Sequence, residues 1–257
     1  MVLEVMEYAA RIIRRYPKVV LPQVLAWIPT ALFSLLFASG MAAFAKHFTM
    51  RSFTEALSNM QATLNAVMPY LAAFAALMVF AVLVNTFINA AYPPLVQQAI
   101  RRKPVMLSAA FGTARERFLS LLWAYFLLIT LVLVACVPLV LLMLAGPLGV
   151  ITAVIGIVAL VFVAVLGSWQ LEPVVVIERQ GGIQALRRSF GIARHAFWQA
   201  LGVIALVVVI IMVVAAAFEA IPQVGYLLSL VAALFTSALA AITKTVFYYR
   251  HAKKKRL

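Results

Sequence analysis

Two glutamates, Glu172 and Glu178, bracket the run PVVVI at residues 173–177. A pair of carboxylates at the edge of an apolar segment has the means for acid–base work, but such work needs a nucleophile or a metal set beside it. The sequence offers neither. It contains no Asp, and its three histidines, His47, His195 and His251, stand far apart in the chain. No H-E-x-x-H, nucleophile-elbow or Walker pattern occurs. Ion pairing of Glu172 and Glu178 with Arg187, Arg188 or Arg194 is therefore the expectation, and the residues name no catalytic group, no metal site and no cofactor. The single cysteine, Cys136, sits inside an apolar run and reads as a small buried hydrophobe.

A second set of polar residues interrupts apolar segments: Asn85 and Asn89, four apart, then Ser168 and Gln170, then Thr243 and Lys244. Polar groups inside a membrane are expensive and mark candidate pathways. Converging, these six would line a small polar vestibule open to the cytosol. The simpler reading is hydrogen bonding between helices, worth about 0.6 kcal/mol each, with Lys244 snorkelling to the interface.

The elements that carry these residues follow from composition. The chain has 257 residues, 66% of them hydrophobic and 11% charged, against about 25% charged in soluble domains. A span needs about 20 apolar residues, and six windows qualify, roughly 19–44, 67–92, 119–145, 149–171, 198–220 and 224–248. The sequence GPLG at 146–149 makes spans three and four a tight hairpin, and EAIPQVG at 219–225 does the same for spans five and six. Apolar runs this long favour helices over barrel strands. Eighteen of the 21 Lys and Arg residues fall at 11–18, 101–117, 179–194 and 250–256, on one side of this arrangement; only Lys46 and Arg51 fall on the other. The positive-inside rule then puts both termini in the cytoplasm of a multi-pass protein of the cell membrane. The first apolar run exceeds the core of a signal peptide and reads as a retained span. The net charge of +14 belongs to span borders and suits anionic lipid rather than nucleic acid.

Residues 94–118 laid over 173–197 match without a gap: Pro94 on Pro173, Phe111 on Phe190, Gly112 on Gly191, Arg115 on Arg194, Phe118 on Phe197. Leu107, Phe111, Ala114 and Phe118 are spaced four, three and four, as are Leu186, Phe190, Ala193 and Phe197, which describes one helix face. Each segment is too short and too charged to span and is suited to the interface plane. The first fifteen residues repeat the pattern, with Val5, Ala9, Ile12, Ile13 and Tyr16 opposite Glu4, Glu7, Arg11, Arg14 and Arg15. The expected architecture is all-α: a single transmembrane domain over 1–257, built from three hairpin units at about 1–94, 105–173 and 184–250. Each unit is entered through a cytoplasmic amphipathic helix, and a basic tail follows at 251–257. The first unit carries an insertion at 46–66, with SFTE at 52–55 as a capping box. Arg115, Arg117, Arg187, Arg188 and Arg194 are the candidates for contact with lipid headgroups.

The stretch from Pro173 to Leu206 resembles the membrane domain associated with glycerophosphoryl diester phosphodiesterases and its stand-alone relatives. The resemblance is carried by Glu178, Gly181, Gly182, Ala185, Leu186, Arg187, Arg188 and Ser189. It implies an accessory membrane domain and no hydrolase activity, since the acidic metal ligands of the catalytic domain are missing. The expected function is that of a non-enzymatic membrane protein engaging lipid headgroups or a partner. The alternative is a transporter or channel for a small solute or lipid, using the polar vestibule. Protein partners and self-association are left open by the sequence.

Overall fold

A computed structural model describes residues 2–29, 32, 60–219, 221 and 225–252. The described elements are all helical: α1 (Val2–Arg15), α2 (Met60–Ile100), α3 (Leu107–Leu142), α4 (Pro147–Ser168), α5 (Leu171–Ile177), α6 (Gly182–His195), α7 (Phe197–Glu219) and α8 (Gly225–His251). Most of the first expected span, the 46–66 insertion up to residue 59 with its capping box, His47, Lys46, Arg51, and the tail from 253 lie outside the described residues.

Among the described residues, five helices are long and apolar enough to cross a membrane: Ala72–Ile100, Leu107–Ala145, Pro147–Ile177, Phe197–Phe218 and Val231–His251. Their most apolar stretches are only 6–11% buried in the first four and 44% in the last. Leu, Val, Ile and Phe side chains therefore cover the outside of these helices, as they must where hydrocarbon is the solvent. The described residues are helical throughout their regular structure, with no strand among them, and their apolar helices suit a multi-pass membrane protein.

It divides into two compact units, one of residues 1–22 and 87–257, the other of residues 23–86. The smaller unit holds the helical stretch at 23–29 and the first part of α2, with Met78, Val79, Phe80 and Val82 exposed.

In the larger unit the expected hairpin of spans three and four is present. α3 and α4 pack together, joined through Gly146, whose φ of +94° lies where only glycine is at ease. A β-carbon on Gly149 would stand 2.1 Å from the Leu142 carbonyl oxygen, and one on Gly156 would stand 2.8 Å from Leu139 Cδ2. The small-residue face of α4 is what lets the two helices approach. α7 and α8 also pack against each other.

The buried residues concentrate where the ends of α2, α4 and α8 meet the beginnings of α3 and α7. Tyr92, Leu95, Val96, Ala114, Leu121, Ala200, Ile242, Val246, Phe247 and Tyr248 are all inside. The short helices close this end. α1 buries Val5, Met6, Ala9 and Ile12 and packs on α8 and α7; α6 buries Ala185, Leu186, Ser189, Ile192 and Ala193 and packs on α3, α4 and α5. Their apolar stripes face protein rather than lipid, so they act as caps on the spans. The two copies of the FG-x-AR phrase also differ in setting. Residues 107–118 run straight on into the span as the first three turns of α3. Residues 182–195 form a separate helix, broken from α7 at Ala196 (φ −120°, ψ 33°). Phe197 thus opens α7 instead of completing the face of α6.

Candidate functional site

The polar groups of the larger unit gather around α5 and α6. α4 stops at Ser168, and Gln170 adopts φ −101°, ψ 9°, outside the helical region. The chain then restarts as the seven-residue α5, whose residues 171–176 are all buried. Two glutamates anchor this segment. The Tyr125 hydroxyl on α3 donates to Glu172 Oε1 at 2.5 Å, and the Lys244 ammonium on α8 pairs with Glu172 Oε2. Glu172 is 3% exposed. At the other end of α5, the Tyr248 hydroxyl donates to Glu178 Oε1 at 2.7 Å. Arg188 on α6 donates through Nε to Glu178 Oε2 at 3.2 Å. Each carboxylate thus holds one phenol and one cation, and together they tie α5 to α3, α6 and α8.

A tight turn leads from α5 to α6. Arg179 (φ 59°) and Gly182 (φ 56°) both take left-handed backbone, so of the Gly181–Gly182 pair it is Gly182 that the turn requires. α6 then docks on α4. The Ser189 hydroxyl donates to the Gly167 carbonyl at 2.5 Å. Any β-carbon on Gly167 would stand 2.2 Å from Phe190 Cε1, so a glycine is needed for that approach.

The six residues expected to share a vestibule meet different fates. Gln170, Thr243 and Lys244 come to the buried layer. Gln170 is fully buried, and neither polar atom of its amide has a hydrogen-bond partner among the described residues. The buried Thr243 places its hydroxyl 3.5 Å from Met6 Sδ, and Lys244 reaches Glu172 instead of snorkelling. Ser168 bonds back to the Val165 carbonyl in its own helix at 3.2 Å. Asn89 is half-buried, while Asn85 is exposed and belongs to the smaller unit.

The headgroup candidates also separate. Arg188 is drawn into the Glu178 clamp. Arg187 and Arg194 are exposed on α6 and make no ion pair among the described residues, and the same holds for the exposed Arg115 on α3. Arg117 is half-buried. No protein-family model, curated protein or solved structure matches the chain.

Among the described residues no group of three His, Cys, Asp or Glu side chains is placed to hold a metal ion. His195 bonds through Nδ1 to the Gly191 carbonyl at 2.8 Å, and His251 lies between the Gln199 side chain and the Phe247 ring. Tyr125 and Tyr248 are not singled out by the sequence, and Ser189 enters there only through the resemblance, with no role assigned. Tyr125 stands in an unbroken apolar run, and nothing local distinguishes it from the phenylalanine that follows. The adjacent tyrosines at 248–249, beside Arg250 at a span end, were a signal that sequence reasoning had within reach.

Proposed function

We propose that this chain is a non-enzymatic membrane protein whose basic end lies at the cytoplasmic leaflet and engages anionic lipid headgroups. Its architecture in this reading is three hairpin units with both termini inside. The observation that carries the proposal is the division of labour among the arginines of α6. Arg188 is used internally against Glu178, whereas Arg187 and Arg194 are exposed on the same helix and make no ion pair among the described residues. Arginine's planar fork suits phosphate oxygens, and basic residues at a membrane surface attract anionic lipid by about 1 kcal/mol each. The clustering of eighteen basic residues at span borders supports it further. Reversing both charges (Arg187→Glu with Arg194→Glu) leaves the clamp intact. It is expected to strip co-purified anionic lipid while leaving the melting temperature close to that of the parent. Unchanged lipid content in the double variant would sink the proposal.

A second reading is carried by Glu172, Lys244 and Gln170. An intramembrane ion pair beside a buried amide with no hydrogen-bond partner among the described residues suits a polar pathway in a transporter. Gln170→Leu distinguishes the two. Under the headgroup reading it stabilises the fold, by removing an unsatisfied buried amide. Under transport it abolishes solute flux in proteoliposomes.

A further inference from the structure

We infer that the exposed face of α6 holds a discrete seat for the phosphate of one anionic lipid, formed by Arg187 and Arg194 over Gly191, whose carbonyl is held by His195 Nδ1. This deepens the headgroup reading and rests on it. The three residues stand at i, i+4 and i+7, so they share one face of the helix. The two arginines are two turns apart, about 10 Å along the axis, close enough for both guanidiniums to reach a phosphate placed above the residue between them. That residue is a glycine in the middle of a helix, where glycine is the poorest choice after proline. Packing does not account for it: a β-carbon there would meet nothing within 4 Å, and its φ is not positive. A glycine that neither the backbone nor the neighbours require leaves a notch, and the notch lies between two cations that make no ion pair among the described residues.

The occupant is a lipid rather than a free anion because of what stands at the two ends of α6. At its beginning Ile183 is 58% exposed and Trp123, 55% exposed, lies against Gly182. Just past its end Trp198 is 78% exposed, its ring edge-on to Phe197. Large apolar and aromatic side chains left in the open at both ends suit the boundary between headgroups and hydrocarbon, and the arginine face between them is then level with lipid phosphates. The FG-x-AR copy in α3 gives an internal comparison. Gly112 is equally open, and Arg115 stands in the place of Arg194, but the position equivalent to Arg187 is Ser108. It has half the seat.

The test is native mass spectrometry of the full chain in an uncharged detergent, titrated with phosphatidylglycerol, with phosphatidylcholine, and with phosphatidylglycerol in the presence of inorganic phosphate. Melting temperature is measured alongside. Gly191→Gln fills the notch with an uncharged helix former, and Gly191→Ala adds a single methyl into open space. Both are expected to melt at or above the parent temperature and to bind phosphatidylglycerol more weakly, Gln several-fold more so than Ala. Phosphatidylcholine adducts should not change, and Gly112→Gln should have a smaller effect. If both Gly191 variants bind phosphatidylglycerol as the parent does, the seat is overturned. If the Arg187→Glu/Arg194→Glu variant nevertheless loses lipid, the headgroup reading stands without it; if that variant also binds normally, both fall. Displacement of the lipid by an equal concentration of inorganic phosphate would overturn the assignment to lipid.

Discussion

Glu172 and Glu178 lie at the two ends of one short helix and show how this chain places charge in an apolar setting. Glu172 is almost wholly buried and balanced by Lys244 and the Tyr125 hydroxyl; Glu178 sits nearer the rim and is balanced by Arg188 and the Tyr248 hydroxyl. A buried ion pair is weak evidence for stability as a pair, but breaking one side of it is costly. Lys244→Met should therefore destabilise the fold by about 3–5 kcal/mol, read as a lowered melting temperature in detergent. The double variant Glu172→Gln with Lys244→Met should recover most of the loss, because no charge is left without a counter-charge. Equal destabilisation by the single and double variants would show that the pair is not what secures α5. The pairing of Glu178 with an arginine of the following helix was legible in the sequence, since the carboxylate and the candidate arginines lie within sixteen residues of each other. The partner of Glu172 was not legible, because Lys244 arrives from 72 positions away in the chain and looked like a residue reaching for water.

The same contrast holds for helices. Of the residues that periodicity places on the apolar stripes of α1 and α6, Val5, Ala9 and Ile12 in one and Leu186 and Ala193 in the other are buried, whereas Ile13, Tyr16 and Phe190 are half-buried and Phe197 is exposed. What periodicity cannot say is whether a stripe faces hydrocarbon or protein, since both are apolar. Here both stripes face protein. Nor could it separate the two FG-x-AR copies, one continuous with its span and one broken at Ala196, because that difference arises from the docking of α6 on Gly167 and not from the repeated residues themselves. The attachment of α1 has an electrostatic part as well. Arg250 at the end of α8 reaches Glu4 Oε2 at 2.6 Å. The hydrogen bond from the Arg250 guanidinium is the main cause holding the Glu4 carboxyl below its ordinary value. A lowered folded-state value means that the contribution is complete above the ordinary carboxylate range and lost as pH falls through the lowered value. Glu4 is exposed, so the effect should be small and weaken with salt. Hydrogen-exchange protection of the first turns of α1 should fall in Arg250→Gln at neutral pH, and in the parent on acidification, while α6 keeps its protection. Loss of protection in both helices together would contradict separate attachment of the two caps.

Within the larger unit, most of the buried residues lie at one end of the spans, and the spans themselves turn apolar surface outward. Composition made the membrane class plain, and hydropathy windows located four of the five described spans to within a few residues on at least one side. The ends ran longer than the windows. α3 begins at Leu107 and α8 runs to His251 because tertiary contacts with α1, α5 and α6 keep helical geometry going where the polar sequence alone would not. Within the larger unit the ends of α2, α4 and α8 lie with the beginnings of α3 and α7, and the basic residues at 101–103, 115 and 117 sit at those same ends. The functional proposal depends on that end facing the cytoplasm. The direct test is single-cysteine labelling in intact cells in a Cys136→Ser background, with cysteine placed at Lys103 and, separately, at Gln180. Both sites should resist a membrane-impermeant thiol reagent until the membrane is opened, and then react. Labelling of either site from outside an intact cell would contradict the account.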